Sequence, residues 1–266
     1  MHRPEALILR APGTNCDEET VAAFELAGAR AQRLHVNRLL EQPSLVREVE
    51  ILCIPGGFSY GDDIAAGRIF AERLGELSDV LREFHGAGGL VLGICNGFQV
   101  LLKTGLLMPE GAKTPRATLT WNDSGKFEDR WVTLAVATTI CPFLEGLETL
   151  ELPVAHAEGK FVAADEDSMA ALEDAGQIAL RYQQRTSSCA HPSGDVEGEV
   201  GYPDNPNGSQ RNVAGTCDAT GRVLGLMPHP ERFIAATQHP QWTRRKDQSE
   251  AGDGMAIFQN AVRYFH

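Results

Sequence analysis

The stretch Leu90-Val91-Leu92-Gly93-Ile94-Cys95-Asn96-Gly97 sets a continuous apolar run directly before a Gly-x-Cys-x-Gly turn. A short apolar run bounded by turn residues reads as a strand buried on both faces. The glycines after it predict a sharp bend into a helix over residues 96–104. Such a bend lifts its central side chain out at the carboxyl edge of a sheet, where open α/β folds bind ligands. The start of the helix points free N–H groups and partial positive charge at the sulfur, which favours thiolate at Cys95. A lone cysteine beside a turn is ordinarily a buried structural thiol. The coincidence of strand, paired glycines and helix favours a nucleophile here.

The same grammar runs through the first hundred residues. Ala6–Leu9 and Ile51–Ile54 are further apolar runs, each ending in a turn cluster, Ala11-Pro12-Gly13-Thr14-Asn15 and Pro55-Gly56-Gly57. Amphipathic helices are expected over 17–30 and 65–85, and another strand over 31–36. Buried strands alternating with helices predict an α/β fold, a mostly parallel central sheet flanked by helices. The second half changes character. Strands are expected over 131–138 and 149–162, and a hairpin around Asp218-Ala219-Thr220-Gly221. A packed helix is expected over 254–265. The whole chain, 1–266, reads as one domain, with polar loop excursions near 184–210 and 237–253.

Composition narrows the function classes. The chain of 266 residues carries a formal charge of −12, which disfavours phosphate backbones and so nucleic acid as a partner. No apolar run approaches the roughly 20 residues of a membrane helix. The segment Met1–Ala6 has no long apolar stretch behind a basic start, so no signal peptide and a cytoplasmic location are expected. The six cysteines form no C-x-x-C pair. Cys189-Ala190-His191 offers only two ligands in a polar loop, so no metal is expected.

A thiolate nucleophile needs a base, and the base needs an orienting group. Met227-Pro228-His229-Pro230-Glu231 supplies both at the end of an expected strand. In extended backbone His229 and Glu231 would point the same way, the carboxylate holding the imidazole tautomer. Taken alone, His229 would pass for a surface histidine. Acyl transfer also needs donors for an oxyanion. The loop Pro55-Gly56-Gly57-Phe58-Ser59-Tyr60-Gly61-Asp62 offers inward-turned N–H groups, and the amide of Asn96 offers a second. The loop lacks Gly-Lys-Ser/Thr and Gly-x-Gly-x-x-Gly, so it does not read as an ATP loop.

In that order, Pro55-Gly56-Gly57, Gly-Ile-Cys-Asn-Gly-Phe-Gln (93–99) and His229-Pro230-Glu231 resemble the class I (triad) glutamine amidotransferases. Further blocks resemble, within that family, the glutaminase subunits of phosphoribosylformylglycinamidine synthases. They are Arg10–Asp17, Gly56–Asp63, Asn122–Glu128, Pro153–Phe161, Asn205–Ser209 and Gly225–Arg232. The resemblance implies a flavodoxin-like fold and a Cys95–His229–Glu231 triad that hydrolyses L-glutamine to glutamate and ammonia through a thioester. It implies an oxyanion hole at Gly57 and Asn96, and substrate contacts at Gly56, Phe58 and Gln99. It implies no cofactor in this chain. ATP and Mg would sit on a large synthetase subunit that takes the ammonia in purine biosynthesis, with a small third subunit often present in bacteria. One departure stands out. The family commonly has His-Gly-Glu-Gly where this chain has His156-Ala157-Glu158-Gly159, which would be awkward if that position needed a positive φ. A free-standing γ-glutamyl hydrolase and a non-catalytic thiol-bearing sensor on the same fold are the alternatives. Intact His229 and Glu231 argue against the second of these.

Overall fold

The structure, a computed structural model, describes residues 2–107, 117–185, 198–244 and 250–266. Eleven strands are present among them: β1 (Glu5–Arg10), β2 (Arg30–His35), β3 (Ile51–Ile54), β4 (Leu90–Ile94), β5 (Ala117–Thr120), β6 (Glu128–Val136), β7 (Thr149–His156), β8 (Lys160–Ala163), β9 (Ile178–Gln183), β10 (Val213–Cys217) and β11 (Val223–Leu226). The helices are α1 (Asp17–Ala27), α2 (Val36–Glu41), α3 (Arg68–Gly75), α4 (Ser78–Gly86), α5 (Asn96–Thr104), α6 (Glu166–Asp174) and α7 (Met255–Arg263).

Nine strands form one mixed sheet in the order β2-β1-β3-β4-β11-β10-β9-β6-β7. From β2 to β11 every pairing is parallel. From β11 to β7 every pairing is antiparallel. Strands β5 and β8 form a separate antiparallel pair. The expected parallel sheet is therefore the half that contains β4. Strands β3, β4 and β11 are buried at every residue, which is why they read as unbroken apolar runs. Because β1 connects to β2 in one direction across the sheet and β3 to β4 in the other, crossovers of the usual right hand place α1 on one face and α3 with α4 on the other. The packing of α1 on α7 and of α3 on α5 agrees with that division.

Differences from the expected elements have local causes. The helix expected over 65–85 is two, α3 and α4, broken after Gly75. The strand expected over 149–162 is interrupted between His156 and Lys160. A Cβ on Gly159 would lie 2.4 Å from the His156 ring, so the chain turns there with no room for a side chain. Parts of both polar excursions, and Cys189 with His191, lie outside the described residues. No helix among the described residues is long and apolar enough to cross a membrane.

Candidate active site

Parallel pairing aligns the carboxyl ends of β1, β3, β4 and β11, so the loops after them converge. Cys95 sits at the end of β4 with φ 52° and ψ −105°. A non-glycine residue in such a conformation stores roughly 1–3 kcal/mol of strain. The surroundings enforce it. The Cys95 N–H donates to Leu226 O at 2.7 Å. A Cβ on Gly97 would lie 1.8 Å from Ile54 O, and one on Gly93 would lie 2.4 Å from Leu101 Cδ1. Both glycines of the motif are thus required by close approach of neighbouring backbone and side chain. The bend aims the Cys95 sulfur at Ala155 O, 3.7 Å away on β7.

His229 follows β11, and its N–H donates to Pro153 O at 2.8 Å. Its Nδ1 lies 2.6 Å from Glu231 Oε1, with both side chains buried. The expected extended backbone is absent. Pro230 opens a short 3-10 turn over Pro230–Arg232, and that turn brings the carboxylate back onto the ring. With Glu231 accepting at Nδ1, the free lone pair of the neutral ring falls on Nε2. Nε2 is buried and makes no well-formed hydrogen bond. Burial works against protonating this imidazole. The Glu231 carboxylate first, then Cys95, together with hydrogen bonding to Cys16, overcomes that cost and holds its pKa well above the ordinary value. The Cys95 sulfur thus raises the ring's pKa both by its charge and by hydrogen bonding, and a catalytic contact of this kind often tightens only when substrate binds.

The placement of the two expected oxyanion donors follows from peptide geometry. Asn15 N and Cys16 N both donate to Gly56 O, at 3.5 and 3.3 Å. In a trans peptide the N–H points opposite to the C=O, so the Gly57 N–H is turned away from that segment. Gly57 itself has φ 142°, and a Cβ there would lie 2.8 Å from Thr14 Cα. A Cβ on Gly56 would lie 2.8 Å from His229 Cε1, so only glycine lets the loop approach the imidazole. The Asn96 N–H opens α5, where helix geometry leaves it without an intrahelical acceptor.

Two expected substrate contacts are placed differently from the rest. The Phe58 N–H is spent on Gly13 O at 2.9 Å. Its ring is 47% exposed and lies 6.4 Å from the Phe127 ring, on the surface. Gln99 is buried one helical turn after Cys95, and both ends of its amide are hydrogen-bonded within the protein. Nε2 donates to Glu158 O at 2.6 Å, and Oε1 accepts from Asn96 Nδ2 at 2.9 Å. Asn96 Nδ2 also donates to Asp62 Oδ1 at 3.2 Å. These bonds tie the start of α5 to the loop after β3 and to the segment after β7.

Sequence reasoning missed Cys16, Arg232 and the buried role of His156. Cys16, His229 and Glu231 bring donor atoms within 4.8 Å of one another. Tetrahedral bonds of about 2.0–2.1 Å would hold two N/O donors roughly 3.3 Å apart. The 2.6 Å between His229 and Glu231 is instead a hydrogen bond, and Arg232 Nη2 abuts the Cys16 sulfur at 3.1 Å. His156 is not a solvent-facing strand residue. It is 3% exposed, its Nδ1 lies 3.2 Å from Asn122 Oδ1, and burial followed by the charge on His229 lowers its pKa to about 3.

Residues 3–265 match the family described as the CobB/CobQ-like glutamine amidotransferase domain. The chain belongs to the glutamine amidotransferase family. Among curated relatives of this glutamine amidotransferase, the phosphoribosylformylglycinamidine synthase subunit PurQ of Dehalococcoides mccartyi is 44% identical over 99% of this chain and 98% of its own length. The PurQ subunit of Treponema denticola is 42% identical over 87% of this chain and 89% of its own. In the solved structure of PurLQS from Thermotoga maritima, one chain superposes with a TM-score of 0.73 at 29% identity, both chains being fully covered. Ala157 does not trouble this amidotransferase, because it is not among the described residues with positive φ.

Proposed function

We propose that this chain is the glutaminase subunit of a phosphoribosylformylglycinamidine synthase, and that Cys95, His229 and Glu231 are its catalytic triad. The reading of the triad is carried by one observation. A strained elbow cysteine and a His229–Glu231 pair at 2.6 Å converge at the carboxyl ends of adjacent parallel strands. The PurQ relatives and the PurLQS likeness support the assignment to purine biosynthesis.

The chemistry follows from the atoms. The Cys95 thiolate attacks the side-chain amide carbon of L-glutamine. The oxygen gains the charge and meets the N–H groups of Gly57 and Asn96. His229 gives its Nε2 proton to the departing nitrogen, which leaves as ammonia, and the γ-glutamyl thioester remains. Water then attacks the thioester carbonyl while His229 takes its proton. Collapse of the second tetrahedral intermediate expels the Cys95 sulfur and releases glutamate. Glu231 keeps Nδ1 protonated and offsets the charge on the ring throughout. Gly56 lets the loop approach closely, Gln99 ties α5 to the segment after β7 through Glu158 O and steadies the Asn96 amide, and Phe58 lies at the outer rim.

The partner in this reading is a large ATP- and Mg-using synthetase subunit that receives the ammonia. A small third subunit fits the assembly named PurLQS. The chain acts as one cytoplasmic domain that carries no cofactor of its own. The test is Cys95→Ala in the reconstituted complex. Glutamine-dependent amidine formation falls at least about a thousandfold, while formation from added ammonium persists. Retained glutaminase activity in Cys95→Ala overturns the nucleophile. Full glutaminase activity of the isolated chain, unchanged by the synthetase, favours a free-standing hydrolase.

A further inference from the structure

We infer that Cys16, held by Arg232, is a positioning residue that sets both the oxyanion donor Gly57 and the base His229. The inference rests on the triad reading above.

Cys16 stands at the start of α1, in the loop that follows β1. Since β1 lies beside β3 in parallel register, that loop runs against Pro55-Gly56-Gly57. Its backbone and its side chain address different halves of the site. The Cys16 N–H, with that of Asn15, binds Gly56 O and so fixes the plane of the Gly56–Gly57 peptide. A rotation of that plane would swing the Gly57 N–H off its line, because the two groups share one rigid unit. The Cys16 sulfur meanwhile lies 4.0 Å from His229 Nδ1, on the edge of the ring that also faces Glu231. A Cβ on Gly56 would lie 3.1 Å from that sulfur and 2.8 Å from His229 Cε1, so sulfur, ring and glycine form one tight contact.

Two further groups fix the sulfur. Arg232 Nη2 lies 3.1 Å from it, and the thiol lies 3.2 Å from Asn15 Oδ1. Arg232 is braced in turn by its Nε donating to Glu19 Oε1 of α1 at 2.9 Å. Arg232 is also the residue after Glu231 and belongs to the same 3-10 turn. The clamp therefore links the loop after β1, the loop after β3 and the loop after β11. Cys16 is buried, and burial raises its pKa. The group that touches His229 is accordingly a neutral thiol whose proton is directed at Asn15 Oδ1 and whose sulfur accepts from Arg232 and faces the protonated Nδ1 edge of the ring, and it does not take part in bond making.

The geometry makes a specific demand on kinetics. A positioning residue alters turnover and the ring's titration more than it alters substrate affinity. The groups that face His229 are Glu231 on its own turn, Cys95 from the β4–α5 bend, Cys16 from the start of α1 and His156 from the end of β7. Of these, Cys16 is one that raises the ring's pKa, so its removal moves the His229 titration to lower pH.

The experiment uses the full chain with its synthetase. In Cys16→Ala, kcat for glutamine falls roughly 10- to 100-fold, the scale expected of a small misplacement of catalytic groups, with KM changed less than about threefold. The rate of Cys95 alkylation by iodoacetamide, read at the Cys95 peptide, shows its His229-dependent limb displaced to lower pH. Cys16→Ser, which keeps acceptor lone pairs beside Nδ1 and Arg232, recovers part of both effects. Arg232→Gln reproduces them in weaker form. Unchanged kcat and an unchanged alkylation profile in Cys16→Ala overturn the inference. So does a loss of activity that tracks thermal stability alone and is not recovered in Cys16→Ser. Failure of the triad reading is separate: it shows as glutaminase activity surviving Cys95→Ala, whatever Cys16 does.

Discussion

His229 and His156 stand in opposite halves of the sheet, at the end of parallel β11 and of antiparallel β7, and both are buried. Their protons are held in opposite ways. His229 has a carboxylate at 2.6 Å and is pushed well above the ordinary histidine range. His156 has the neutral amide of Asn122 at 3.2 Å and is pushed down to about 3. Burial by itself disfavours the charged form of either ring. The partner decides the sign. The parallel half thus carries a chargeable imidazole near the Cys95 elbow. The antiparallel half supplies a neutral wall whose carbonyls, Pro153 O and Ala155 O, receive the His229 N–H and the Cys95 thiol.

The contrast can be broken most strongly at Glu231. Glu231→Gln removes the charge that offsets burial, so glutaminase turnover should fall roughly 100- to 10,000-fold with the fold retained. Steady-state assays in the presence of synthetase check it, and an unchanged rate removes Glu231 from the site. On the other side, Asn122→Ala deletes the amide that holds His156 Nδ1, Gly159 N, His156 O and Lys126 O. Leaving those groups buried and unpaired should cost about 2–4 kcal/mol in urea unfolding.

The signs of the two histidines sharpen the comparison by pH. His156 takes up its proton only on unfolding, so stability falls as pH drops from about 6.5 toward 3, by up to about 1.4 kcal/mol per unit. His229 has the raised value, so its contribution is complete below about 6.5 and is lost as pH rises through its folded value. Unfolding curves at pH 5, 6.5 and 8 should therefore give a maximum, and His156→Asn should flatten only the acid side. The smallest effect is expected at His2, which lies 3.0 Å from Glu50 but in the open. His2→Ala should change stability by less than about 0.5 kcal/mol. A larger change there would mean that a carboxylate suffices without burial.

What could be read from sequence follows from the same division. Strands β3, β4 and β11 are buried on both sides; the apolar runs of β3 and β4 announced them, and β11 was read from the hairpin turn before it. The elbow was legible because Gly93 and Gly97 are demanded by local contacts within one strand–turn–helix unit. Strand β5, strand β9 and helix α6 gave no comparable signal, since their partners lie far along the chain or their apolar faces are short. His229 and Glu231 were found as a pair, but from a wrong backbone. A 3-10 turn after Pro230, not an extended segment, brings them together. Cys16 was passed over because nothing within residues 11–17 says what they face. Only the parallel register of β1 with β3 brings that loop against Gly56.

The insertion of β11 between β4 and β10 has a consequence for how the chain is made. A ribosome releases Cys95 more than a hundred residues before His229, and the middle of the sheet stays vacant until β11 arrives. Pairings over such separations form slowly. A nascent or truncated polypeptide therefore displays the Cys95 thiol with no imidazole beside it, and on the proposed triad amide hydrolysis would switch on only with the final closure of the sheet.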